Sequence, residues 1–149
     1  MNTKSIEQKL LTVLLVSLTL LTACAPVEYA DEDAVQSAES FAVPEGMSRI
    51  YVFRDDNVVL NTPISVTVDG ELIGVTGNST YVVTTRKPGS HTVVAKGENT
   101  AELVVDTAAG DLVFIEIGVG LGVFTNRARL YQVEPQTGRA AVMGTRLVQ

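Results

Sequence analysis

Cysteine occurs once in this chain, at Cys24, histidine once, at His91, and tryptophan not at all. A lone cysteine excludes a disulfide within the chain and leaves no thiolate pair for metal or redox chemistry, so a folded domain has to be held by its core. A lone histidine excludes a multi-histidine metal site and gives any nucleophilic triad a single choice of base. No G-x-S-x-G elbow announces a serine for that base to serve. Basic residues are scarce as well, with 11 Lys and Arg against 17 Asp and Glu and a formal net charge of −6. Nucleic acid is therefore a poor partner, since phosphate binding needs the opposite sign. No pattern for a metal or a cofactor is found, and none is expected.

The one long hydrophobic run lies at the start. Lys4 and Lys9 give it a positive end, and Leu10 to Leu21 follow without a charge, the layout of a secretory leader. As a helix this run would be about 18 Å long, short of the roughly 30 Å hydrocarbon core, so it reads as a signal rather than a span. It closes on Leu21-Thr22-Ala23-Cys24, which resembles the bacterial lipobox. That resemblance implies that the lipoprotein signal peptidase reads Leu21, Thr22 and Ala23, that residues 1–23 are removed, and that Cys24 carries diacylglyceryl and palmitate-type chains. Each buried methylene contributes about 0.8 kcal/mol, so several acyl chains anchor the product to a membrane essentially permanently. Residue 25 is alanine. The aspartate that retains such proteins in the inner membrane of enteric-type bacteria is absent, which favours the outer membrane, facing the periplasm. Losing Lys4, Lys9 and Glu7 with the leader leaves nine basic and sixteen acidic residues, a mature net charge of −7.

Between Ala25 and Pro44 stand Glu28, Asp31, Glu32, Asp33 and Glu39, with no basic residue and few large apolar side chains. Such a stretch buries too little surface to offset its ordering entropy, so residues 24–45 are expected to be a lipidated flexible tether with a reach of about 25 Å. A short helix over Asp33 to Phe41 is the competing reading, from the helix-friendly Ala and Glu there. Residues 46–149 suffice for one domain.

That domain reads as strands almost throughout. Ser48 to Arg54 is rich in β-branched and aromatic residues. Ile64, Val66 and Val68 alternate with Ser65 and Thr67, the period of a half-buried strand. Asp69-Gly70 supplies the positive-φ residues of a type I′ turn, and Glu71 to Val75 returns as the second arm. Tyr81 to Thr85, His91 to Lys96, Ala101 to Asp106, Leu112 to Gly118 and Arg127 to Glu134 complete the set, with Lys87-Pro88-Gly89-Ser90 as a turn. Eight short strands with turn chemistry between them predict an all-β fold, a β-sandwich of mainly antiparallel strands. Gln136 to Met143 leaves room for one short C-terminal helix, weakened by Gly138 at about 1 kcal/mol relative to alanine.

Arg49-Ile50-Tyr51-Val52-Phe53-Arg54, Val68-Asp69-Gly70, Ile73-Gly74 and Lys87-Pro88-Gly89-Ser90-His91, taken in that order, resemble the surface-associated PEGA-type domain. Over the whole mature domain, lipobox included, the chain resembles an uncharacterised lipoprotein family known as domain of unknown function 2846. The resemblance implies a periplasm-facing lipoprotein and no known reaction.

Candidate sites have plain alternatives. His91 follows a Pro-Gly turn, where a turn-stabilising hydrogen bond outweighs catalysis. Gly118-Val119-Gly120-Leu121-Gly122 lacks the helix and crossover of a dinucleotide site, so a bulge or a close approach of backbones is expected. Asp55-Asp56 and Asp31-Glu32-Asp33 lack the spacing of a calcium loop and read as turn and tether. Arg127, Arg129, Arg139 and Arg146 make the C-terminal region locally basic, and Arg127 with Arg129 are the candidates for an anionic-ligand surface. The leading expectation is a non-enzymatic, lipid-anchored envelope protein that binds an envelope protein or glycan or contributes structure. A hydrolase using carboxylates and tyrosines would need acidic residues converging in one pocket. A chaperone or inhibitor would need an exposed apolar patch or an open sheet edge.

Overall fold

The computed structural model describes residues 27–55, 61–121 and 126–149. The leader, the lipobox with Cys24, and Asp56 and Gly122 of the motifs above lie outside the described residues.

Two sheets face each other. The first has strand order β8 (Asn126–Val133), β7 (Leu112–Leu121), β1 (Ser48–Arg54), β4 (Thr80–Arg86), β9 (Arg146–Leu147). The second has order β3 (Glu71–Thr76), β2 (Ile64–Val68), β5 (Gly89–Lys96), β6 (Thr100–Thr107) and is antiparallel throughout. In the first sheet β1 pairs parallel with β7 and β4 parallel with β9, the other pairs being antiparallel. The β-sandwich read from the sequence is thus the fold. Among the described strands the chain changes sheet four times, from β1 to β2, from β3 to β4, from β4 to β5 through Lys87-Pro88, and from β6 to β7.

Alternation explains the inter-sheet core. Ile64, Val66 and Val68 of β2 meet Ile50 and Val52 of β1, Val82 of β4, and Val113, Ile115 and Ile117 of β7, all 5% exposed or less. Full burial of each such side chain contributes about 1.5–3 kcal/mol. β1 is buried on its other face too, because Tyr51 and Phe53 lie under a helical layer. That layer consists of α1 (Glu32–Glu39) and α2 (Pro135–Met143). Phe41, Tyr51 and Phe114 form an aromatic cluster there, with ring centroids 5.0 to 6.0 Å apart.

α1 corrects the tether reading from Val27 onward. Asp31 caps the helix, its Oδ1 accepting from the Ala34 N–H at 2.8 Å, and Glu32 and Asp33 stand in the first turn, where the helix dipole favours negative charge. The acidic cluster thus starts a helix. Ala34, Val35, Ala38 and Phe41 supply the inward stripe, and small alanines let the helix lie close to the sheet. Upstream, Tyr29 bridges Val148, the Ala30 N–H donates to Leu147 O at 3.1 Å, and the Gln149 N–H donates to Glu28 O at 3.0 Å. The N-terminal segment is therefore a further strand-like rung beside β9, and Val27 packs on the inter-sheet core.

Glycine matters most where α2 meets the sheet. A Cβ on Gly138 would stand 2.2 Å from Phe114 Cγ, so the residue that weakens the helix is the one that lets it seat.

Candidate functional site

Arg127 and Arg129 are both exposed and lie on one face of β8, two residues apart. Ala128 and Leu130 between and beyond them turn inward to the core. Register places Arg127 opposite Gly120, Arg129 opposite Gly118 and Tyr131 opposite Glu116. The glycine run of β7 is therefore a plain strand segment with no bulge, and what comes close to Gly118 is a side chain: the Tyr131 ring would meet a Cβ there at 2.8 Å. Tyr131 thus covers Gly118, and the strand surface opposite the two arginines is open at Gly120, where an added Cβ would meet nothing nearer than Arg127 O at 4.0 Å. Neither arginine makes a hydrogen bond or ion pair among the described residues.

The other two arginines of that region are engaged. Arg139 stacks its guanidinium 4.6 Å over the Phe41 ring and Arg146 stacks 3.6 Å over the Tyr29 ring. Sequence proximity grouped four cations; tertiary contacts leave Arg127 and Arg129 as the pair open to a ligand. β8 is also an edge strand. Its peptide at Ala128 is covered by Asn99, whose Nδ2 donates to Ala128 O at 2.9 Å while Oδ1 accepts from the Ala128 N–H at 2.7 Å. A side-chain amide thus stands in for a neighbouring strand and blunts the edge.

His91 is nine-tenths buried and sits between two acceptors, with Nδ1 2.7 Å from Asp69 Oδ2 and Nε2 2.9 Å from Lys87 O. Asp69 Oδ1 also accepts from the Thr92 N–H at 2.9 Å. These bonds hold the Asp69 carboxyl below the usual carboxylate range, the His91 contact contributing most and the Thr92 N–H next. Asp69 and Gly70 both have positive φ, 53° and 83°, as a type I′ turn demands. Histidine here clamps a turn, as the Pro-Gly placement suggested.

Two concave surfaces were invisible in the sequence. A cleft of about 360 Å³ runs between α1 and the β4 side of the sheet, lined by Ala34, Ser37, Thr84, Thr85 and Arg49 among others. Arg49 is held at its rim by Ser37, donating to the backbone O at 2.7 Å and to Oγ at 3.2 Å. A second cleft of about 570 Å³ lies beside α2, and Asp55 and Glu116 both line it with Gln136 and Thr137. The inward tyrosines serve neither. Tyr51 donates to Ala38 O at 2.7 Å, and the buried Tyr81 hydroxyl has no hydrogen-bond partner among the described residues. Burial pushes both phenols above their ordinary pKa, with Glu39 adding to the effect on Tyr81, so each stays protonated at neutral pH. Among the described residues no three His, Cys, Asp or Glu side chains are grouped to hold a metal ion.

The chain is 30% identical to an uncharacterised protein of Haemophilus influenzae over 125 residues, 83% of this chain and 74% of that protein. It belongs to that protein's family. No family model matches the chain.

Proposed function

We propose that this protein is a lipid-anchored component of the bacterial cell envelope, acylated on Cys24, whose β-sandwich binds an anionic envelope partner, an acidic protein or glycan, through the β8 shelf. The observation that carries the binding surface is the pairing of Arg127 and Arg129 opposite two glycines, both cations open to solvent on a protein of net charge −6. Exposed arginines can form bidentate bonds to carboxylate or phosphate, and the uncovered Gly120 beside them leaves room for the ligand. Anchoring makes weak binding adequate, because it confines the domain to the surface where its partner is held. The lipobox-like Leu21-Thr22-Ala23-Cys24 and the alanine at position 25 support a periplasm-facing, outer-membrane position.

The test is crosslinking in intact cells with four forms of the full chain. Arg127→Glu with Arg129→Glu, and Cys24→Ser, are expected to lose the captured partner, whereas His91→Ala retains it. Loss of function in a folded, anchored His91→Ala variant would overturn the binding reading. Mass spectrometry of the mature N-terminus checks acylation of Cys24 directly.

A hydrolase is the second reading, favoured by one observation: Asp55 and Glu116 line the same cleft. Under the binding reading, Asp55→Asn with Glu116→Gln leaves the phenotype intact; abolished function in a folded variant replaces binding with carboxylate catalysis. A chaperone role has less support. Among the described residues the exposed aliphatic side chains Leu72, Val104 and Met143 lie on β3, β6 and α2, and β3 and β6 are opposite edges of their sheet, so these three form no common patch.

A further inference from the structure

The order of the chain begins closer to Cys24 than a twenty-residue tether would place it. Val27 packs on the inter-sheet core, and Glu28, Tyr29 and Ala30 are bonded or bridged to Leu147, Val148 and Gln149. Only Ala25 and Pro26 separate Val27 from Cys24. Three residue steps span at most about 10–11 Å even when fully extended. The Cα of Cys24 therefore lies no farther than that from Val27, which keeps its acyl chains beside this edge of the domain.

Resting on the reading of Cys24 as the lipidated residue, we propose that the edge built from Val27–Ala30 and Arg146–Gln149 is apposed to the bilayer surface, with Tyr29 and Arg146 at headgroup level. The occupant of this edge is the lipid headgroup layer. Tyr29 is 47% exposed and carries the Arg146 guanidinium on its ring. An amphipathic ring and a cation with an apolar stem suit the interface between water and acyl chains. Glu28 shares this edge and offsets the charge of Arg146, so anionic lipid adds no net attraction and the covalent anchor sets the orientation.

The same geometry aims the opposite edge outward. β9 and β8 are the two ends of the five-stranded sheet, four strand spacings apart, about 19 Å. With the β9 edge down, Arg127 and Arg129 stand away from the membrane, where a partner fixed elsewhere in the envelope can reach them.

The chain has no tryptophan, so single reporters read cleanly. Tyr29→Trp and Tyr131→Trp replace two tyrosines of equal exposure, 47% each, on opposite edges. Each full-length acylated variant is reconstituted into phosphatidylcholine and phosphatidylethanolamine vesicles carrying a headgroup nitroxide, with circular dichroism checking the fold. Fluorescence at position 29 is expected to be quenched several-fold more strongly than at position 131. Equal quenching, or stronger quenching at 131, on a chain whose Cys24 is acylated by mass overturns the orientation alone. An unacylated Cys24 overturns both the orientation and the anchoring reading beneath it.

Discussion

His91 Nδ1 lies 2.7 Å from Asp69 Oδ2, a contact across 22 residues that ties the tip of the β2–β3 hairpin to the start of strand β5. Asp69 also accepts from the Thr92 N–H, so one carboxylate organises the turn on one side and the neighbouring strand on the other.

This clamp has a pH signature. The folded-state pKa of Asp69 is depressed by His91 and then by Thr92. A depressed carboxylate contributes stability that is present above its unfolded pKa, about 3.9, and is lost as pH falls through the lower folded value. Urea midpoints are therefore expected to fall below about pH 4, with a smaller fall for Asp69→Asn. Parallel curves for the two proteins would show that Asp69 carries none of this dependence.

Gly138→Ala separates two opposed effects. Helix propensity favours alanine by about 1 kcal/mol. The added Cβ, however, would meet Phe114 Cγ at 2.2 Å and Cβ at 2.3 Å, close to the β7 backbone, so no flexible tip can move aside. Overpacking of this kind costs about 1–3 kcal/mol and is expected to win, giving a net loss in a denaturant melt. A gain in stability would mean that α2 can lift off the sheet at little cost.

Gly70→Val is expected to cost about 1–3 kcal/mol by the same measurement, because a β-branched residue is forced to positive φ. The space around Gly70 is open, with nothing within 4 Å of an ideal Cβ, so the cost is conformational rather than a clash. Gly70→Asn, which tolerates that region, is expected to recover most of it.

Asn99→Leu removes both bonds to the Ala128 peptide and leaves that edge of β8 bare. A loss of about 1–3 kcal/mol is expected, since a partly buried donor and acceptor go unpaired together. Concentration-dependent association measured by light scattering is the second expected effect, because the uncovered edge can pair with another copy.

The strands and the sandwich were legible because their signals are local. Alternation in Ile64–Val68, the Asp69-Gly70 turn and the Pro-Gly break each follow from a few neighbouring residues and the geometry of an extended chain. Other features depended on contacts that local pattern does not encode. Ala34, Val35 and Ala38 form a weak apolar stripe, and α1 is held because Tyr51, Phe53 and Tyr81 offer a second buried face on the sheet below. Two-residue β9 and the Tyr29–Val148 bridge carry no sequence signature, since β9 exists by pairing with β4 and the bridge by joining segments far apart in the chain. Of the four nearby arginines, the rings of Phe41 and Tyr29 engage two and leave Arg127 with Arg129 exposed. Periodicity and turn chemistry are properties of adjacent residues, so the sequence by itself determined the strands and their turns. Which cation stays free, where the helices lie and where the folded chain begins are decided by residues far apart in sequence, and only tertiary packing brings those together.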